Sequence, residues 1–500
     1  MSGDISQKVS QKGLAKGSMG LLSLVTLGIS CVAPAYALTA TLGPTASVVG
    51  KHMPAVFLLG FLPMLLVAFG YRELNHDAPD SGTTFTWATK AFGPYIGWLG
   101  GWGLVTATGI VLSNTAGIAV EFFYLLLSEV LRMPAVAGWS HHLGINISTC
   151  LVLMAGAVWL CYRGATATKA IQYALVALQM VVLVWYAVAA WRAAGPSPAL
   201  AFSWDWLNPF SIGSFRTFAA GVSLSIFIYW GWDVCLTMNE ECTDSERTPG
   251  RAAGLVILIL LALYTAVSIA TMRFAGLGDT GLGLANPQTR ENVLAAMSVP
   301  VMGPFAMLVA LAVLASSVAS LQSTFVSPAR TLLAMGHYRA ITQRFSWIHP
   351  KYRSPGYATI AAGLASAGFY VAMHLFSRHV LADTILTLGM MVCFYYGLTA
   401  FACVYYFRHS IFQTVHHFFF RGLAPLTGGI VLAIIFIGTT LDSMSPEYGS
   451  GSSVFGVGLV FLLAVSIISI GIILMFIISW HRPSFFRGET LRRDTPLFKG

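Results

Sequence analysis

"LGISCVAPAYALT", Leu27 to Thr39, lies in an apolar run long enough to form a helix, yet it carries Gly28, Ser30, Cys31 and Pro34. A second run, "SIFIYWGWDVCLTMNEE", Ser225 to Glu241, is interrupted in the same manner at Tyr229-Trp230-Gly231-Trp232-Asp233. Both interruptions fall mid-span. Their setting is a membrane: 56% of the 500 residues are hydrophobic and only 9% are charged, with a mean hydropathy of +0.73. Soluble domains carry about a quarter charged residues. In lipid, non-helical backbone is tolerated only where it lines a cavity or is buried in protein, because an unsatisfied peptide group there has no water to bond. The two breaks therefore predict a cavity at the bilayer midplane, lined by both segments.

Runs able to cross the roughly 30 Å hydrocarbon core number twelve. The first six are Gly20–Thr41, Pro54–Tyr71, Ile96–Leu126, Ile145–Tyr162, Ile171–Trp191 and Phe215–Cys235. The second six are Ala252–Arg273, Val301–Leu332, Thr359–Phe376, Leu381–Phe407, Leu423–Leu441 and Val454–Trp480. With the N-terminus inside, 21 of the 28 Lys and Arg fall on inner loops and tails. Only Lys51, Arg132, Arg192, Arg216, Arg273, Arg290 and Arg378 fall outside. Such a bias predicts a cell-membrane protein with both termini in the cytoplasm. The net charge of +9 is spread over short loops, which argues against a nucleic-acid partner. Seven cysteines without C-x-x-C spacing read as small apolar residues, with no metal site. Ala35-Tyr36-Ala37 fits a leader-peptidase pattern, but the apolar run around it is long enough to span.

The broken segments, first and sixth, stand five helices apart. That spacing indicates a five-plus-five inverted repeat, residues 20–191 and 215–407, followed by two further helices at 423–480. The tails, 1–19 and 481–500, are assigned no structure. Gly28 permits unwinding and Pro34 suits the first turn of a restarted helix. Free N–H groups from Ser30 to Ala33, at the positive end of that half-helix, would attract a carboxylate. Carbonyls from Phe227 to Gly231 would attract an ammonium group. An amino acid offers both. The candidate lining is thus Gly28, Ile29, Ser30, Cys31, Val32, Phe227, Tyr229, Trp230, Gly231 and Asp233. A carboxylate at this depth is expensive, so Asp233 either faces the cavity or caps the half-helix that follows, and both roles are compatible.

"YWGWDVCLTMNEECTDSERTP" and "YRELNHDAPDSGTTFTWATKAFGPYIGWLGGWG" resemble the sixth-helix signature and the second-to-third helix connection of the amino acid–polyamine–organocation superfamily of permeases. "SPARTLLAMGHYRAI" resembles that family's eighth-helix exit. The resemblance implies an all-helical fold like the bacterial sodium-dependent leucine transporter, working by alternating access. It makes Phe227 an aromatic gate over the substrate and places Trp230 in the side-chain pocket. Gly28-Ile29-Ser30 stands where relatives have Gly-Ser-Gly or Gly-Thr-Gly. Glu240 and Glu241 match a Glu pair that could hold a cytoplasmic gate through Arg72 or Arg330, or could be solvated helix-end charges. Gln179 occupies the position of a Lys found in some proton-coupled relatives and cannot act as a fixed cation. Ser316, Ser317 and Ser320 either supply hydroxyls to a sodium ion or serve close helix packing. Proton coupling and exchange stay open.

The expected activity is secondary transport of amino acids or related amines; a small neutral amino acid is favoured if the Trp230 ring points into the pocket, the alternative being that it turns outward and packs on a neighbouring helix. A polyamine or amino-alcohol permease of the same fold is the alternative. An intramembrane enzyme built on Ser30 or Asp233 lacks a positioned base, and no cofactor is implied.

Overall fold

The computed structural model describes residues 12–164, 169–376 and 380–497. Lys8, Arg378 and Lys499, three of the charges counted above, lie outside the described residues, as does the side chain of Arg216. Among the described residues the regular structure is all-helical apart from one small hairpin, Ser453–Val454 against Val457–Gly458.

The first apolar run forms two helices, α1 (Leu21–Val32) and α2 (Pro34–Val49). A turn at Gly50–His52 leads into α3 (Met53–Asp77). After it come α4 (Thr84–Phe92), α5 (Pro94–Leu131), α6 (Leu143–Tyr162) and α7 (Lys169–Ala193). The sixth segment is α8 (Phe215–Ile228), five non-helical residues, and the single turn α9 (Val234–Thr237). Beyond these run α10 (Thr248–Ala275), α11 (Val293–Met302), α12 (Met307–Thr324) and α13 (Val326–His337). The remainder is α14 (Gly356–Phe376), α15 (Val380–Tyr406), α16 (Val415–His417), α17 (Ala424–Asp442), α18 (Leu459–His481) and α19 (Pro483–Phe486). Among the described residues ten helical stretches are long and apolar enough to cross a membrane, the first of them the whole of Leu21–Asp77, so this is a multi-pass membrane protein.

Burial sorts the helices into centre and rim. In their most apolar windows, 83% of residues are buried along Met307–His337 and 72% along Pro94–Leu131, against 17% along Leu459–His481. The first two are core and the last faces lipid. The two broken segments pack into this core: α1 lies on α10 and α12, and α8 lies on α2, α3 and α15.

Three expectations change. The chain is helical through Gly28, and the first break falls at Ala33, at φ 55°, immediately before Pro34. Proline supplies no N–H to the helical ladder, so the ladder ends there. Gly28 serves packing instead, because a Cβ would come within 2.6 Å of Val256 and 2.9 Å of the Cys235 sulfur. The segment expected at Val301–Leu332 begins at Met307 and continues to His337, with a near-break at Phe325. The C-terminal tail is structured: Phe485 and Leu491 are buried against Phe85, Trp98 and Tyr338.

Candidate functional site

The two breaks touch. A Cβ on Gly231 would lie 3.1 Å from the Cys31 sulfur and 3.3 Å from the Val32 nitrogen, and Gly231 itself is at φ 108°, where side chains are strained. Glycine is thus required both by the turn and by the close approach. Around it the backbone makes short turns, with Trp230 N–H on the Phe227 carbonyl and Val234 N–H on the Gly231 carbonyl. The carbonyls of Tyr229 and Trp230 receive no backbone N–H from the described residues.

The donor side differs from the sequence reading. Ser30, Cys31 and Val32 lie inside α1, so their N–H groups serve its helical ladder rather than a cavity. What α1 leaves free at this end is carbonyls. The donors belong to the first turn of α2, at Ala35 and Tyr36, where the Tyr36 N–H has only a long 3.4 Å contact to the Ser316 hydroxyl. Hydroxyls clasp α1 to α12: Ser30 donates to the Ala319 carbonyl at 2.9 Å, and Ser320 donates to the Cys31 carbonyl at 3.0 Å. Ser317 is buried and its hydroxyl has no hydrogen-bond partner among the described residues, and the same holds for the whole amide of Gln179 on α7.

Asp233 is 3% exposed and accepts hydrogen bonds from the Tyr396 hydroxyl at 2.9 Å and the Tyr395 hydroxyl at 3.3 Å. Its side chain makes no cap bond to α9. No cation lies within ion-pair distance of it among the described residues. The Trp230 indole N–H donates to the Tyr395 oxygen at 2.6 Å, turning that ring toward α15. Tyr71 meets both Trp232 and Tyr396 edge to face, and Trp232 lies tilted against Tyr396, one of the carboxylate's two hydroxyl partners. On the other side of the break, Phe227 meets Tyr36 edge-on, ring centres 6.0 Å apart, bridging α8 and α2. The doublet Tyr395-Tyr396 is visible in the sequence as a polar pair in an apolar run. Nothing in the sequence links it to an aspartate more than 160 residues earlier.

At the face carrying both tails, Glu241 binds Arg330 through Nε at 2.8 Å and Nη2 at 2.5 Å. Glu240 does not reach Arg72. It binds Lys12, whose ammonium also holds Asp80, at 2.5 and 2.6 Å. Arg72 pairs with its neighbour Glu73 and lies over the rings of Phe69 and Phe420. The Tyr338 hydroxyl donates to Asp80 at 2.7 Å. Lys12 and Asp80 answer each other. Burial by itself pulls the lysine down, but Asp80 and Glu240 carry it above its ordinary value. Burial pushes Asp80 up, and Lys12 outweighs it and holds the carboxyl below the usual range.

A family model described as amino acid permease matches residues 19–441. The chain belongs to the amino acid permease family. It is a transporter, and its relatives are transporters rather than enzymes. The permease is 27% identical over 362 residues to an uncharacterized transporter of Mycobacterium tuberculosis, covering 70% of this chain and 72% of that one. To the low-affinity putrescine importer PlaP of Escherichia coli it is 21% identical, over 89% and 93% of the two chains. The branched-chain amino acid permease BcaP of Lactococcus lactis is 24% identical over 49% of this chain and 53% of its own. Among solved structures, MhsT in complex with L-phenylalanine superposes with a TM-score of 0.58 at 18% identity, over 83% of the permease and 98% of MhsT. The permease shares that fold.

Proposed function

We propose that this permease is a secondary transporter of amino acids or closely related amines, carrying them across the cell membrane by alternating access. The observation that supports this best is the contact between the two breaks, Gly231 against Cys31 and Val32. It gathers free carbonyls, the start of α2 and the Asp233 carboxylate at one place. In this reading the run Leu21–Asp77 crosses twice, folding back at Gly50–His52, and α8 with α9 crosses once. The ten long stretches then supply eleven crossings and α8 with α9 the twelfth, arranged as an inverted repeat over 20–191 and 215–407 with two helices added. Both termini lie in the cytoplasm.

The substrate carboxylate sits at Ala35 and Tyr36, and its ammonium group at the Tyr229 and Trp230 carbonyls near Asp233. Phe227 and Tyr36 close above it. The paired contacts of Lys12, Asp80, Glu240, Glu241 and Arg330 form the cytoplasmic gate. Transport is coupled to a proton or to sodium, or runs as exchange; of the three candidate serines, Ser320 is already spent on clasping α1 to α12, which favours the packing role for it. An amine without a carboxylate is the second reading, supported by the buried, cation-free Asp233.

Purified protein in sealed vesicles tests the proposal. Saturable uptake of unmodified labelled amino acid supports it; no uptake of any amino acid or diamine, across pH and with or without sodium, refutes it. Phe227→Ala removes the lid ring and should weaken substrate affinity by about tenfold, in line with a lost aromatic contact of roughly 1 kcal/mol plus some burial. Unchanged uptake kinetics would place Phe227 elsewhere. Trp230→Gly should open room for larger neutral amino acids. Its indole is anchored on Tyr395, so the added space lies between α8 and α15. Competition by leucine or phenylalanine should rise in the variant; a wild-type protein that already carries them tightly contradicts the small-pocket reading.

A further inference from the structure

A second site lies away from the breaks, where α18 ends and the C-terminal tail begins. There a cavity of about 380 Å³ is lined by Arg339, His481, Arg482, Ser484 and Arg487, with Glu489 as its one carboxylate. None of the three arginines has a carboxylate within ion-pair distance among the described residues. Arginines gathered on one pocket repel one another, and a guanidinium fork is shaped to bind phosphate oxygens in pairs. The pocket also lies at the C-terminal end of the apolar helix α18. Its neighbour Trp480 is 89% exposed at the end of a lipid-facing helix, the usual station of an interfacial aromatic.

We propose that this pocket binds a phosphate-bearing anion, held by Arg339, Arg482 and Arg487. The phosphate comes either from the headgroup of an anionic lipid or from a soluble phosphate.

The pocket joins two parts of the gate machinery. Arg339 follows Tyr338, whose hydroxyl holds Asp80. Arg487 and Glu489 belong to the tail segment whose Thr490 hydroxyl donates to the Tyr338 carbonyl at 2.6 Å. Phe485, in the same segment, stacks on Phe85 at 5.4 Å. An anion bridging Arg339 to Arg487 therefore ties the tail down beside Tyr338 and holds Asp80 and Lys12 in contact. This consequence rests on the gate reading above, whereas the binding site does not.

The test uses the full-length protein in a neutral detergent. Thermal midpoints are measured with inorganic phosphate, with added phosphatidylglycerol, and with phosphatidylcholine as the zwitterionic control. Phosphatidylglycerol alone should raise the midpoint by a few degrees if the ligand is a lipid, and inorganic phosphate should do so if it is soluble. Arg339→Ala with Arg487→Ala should abolish the shift, Glu489→Gln should enlarge it, and high salt should erase it because the pocket is open to solvent. No shift with either anion, or a shift that survives the double variant, overturns the site. A thiol reagent reaching Cys242, which is buried next to Glu241, reads the gate independently. Its labelling should slow when the anion is bound, and unchanged labelling with intact binding overturns the link to the gate while leaving the site.

Discussion

Lys12→Ala should open the tail-side face of the permease. The substitution leaves Asp80 and Glu240 buried with no shared cation, and removing one partner of a buried pair costs about 3–5 kcal/mol. A loss of that size moves a two-state gate by more than roughly a hundredfold. The expected results are fast thiol labelling of Cys242 and a collapse of concentrative uptake, with Lys12→Arg keeping part of both. Labelling and uptake indistinguishable from wild type would remove Lys12 from the gate. The pH dependence follows from the two shifts. The lysine is raised, so its contribution is complete below the ordinary lysine value of 10.5 and fades as pH climbs through the raised value. Asp80 is lowered, so its contribution is complete above 3.8 and fades as pH falls through the lowered value. Between those limits the Lys12–Asp80 contact should hold, and Cys242 labelling should not change through loss of that pair.

Asp233→Ala should be the most damaging change at the centre. It removes the carboxylate that organises Tyr395 and Tyr396, and with it the negative charge closest to the proposed ammonium position. Hydrogen bonds to charged groups contribute about 1.5–3 kcal/mol, so affinity for an amine should fall up to roughly a hundredfold. Asp233→Asn separates charge from structure: the amide keeps an acceptor for the tyrosines but carries no charge. Uptake should fall in the Asn variant while its thermal midpoint stays near wild type. If Asn transports like Asp, the group is structural only and the substrate's ammonium is held by backbone carbonyls alone.

Much of this architecture is written in short-range patterns. The long apolar runs, the charge bias of the loops, the glycine at 231 and the proline at 34 each act through local physics, so membrane embedding and the presence of two breaks were legible from the sequence. Locating the first break was harder. Gly28 and Pro34 both disfavour a continuous helix, and which one yields depends on neighbours: Val256 and Cys235 press against Gly28 and use its missing side chain for packing, leaving the ladder to end at Ala33.

The charged contacts needed the fold. Glu241 and Arg330 could be paired from helix ends, whereas Lys12 sits in a tail that composition alone marks as solvated. Only tertiary structure brings it to Asp80 and Glu240, 68 and 228 residues away, because burying one ammonium between two carboxylates requires three separate segments to converge. Asp233 shows the same division. Its cost in lipid is evident from residue type and depth, but its partners, Tyr395 and Tyr396, are set by the packing of α15 against α8. Sequence determined that the backbone must break in the membrane and that an acid would stand beside the break; which groups satisfy both was decided by long-range packing, since hydrogen bonds and ion pairs depend on distances that no local pattern encodes.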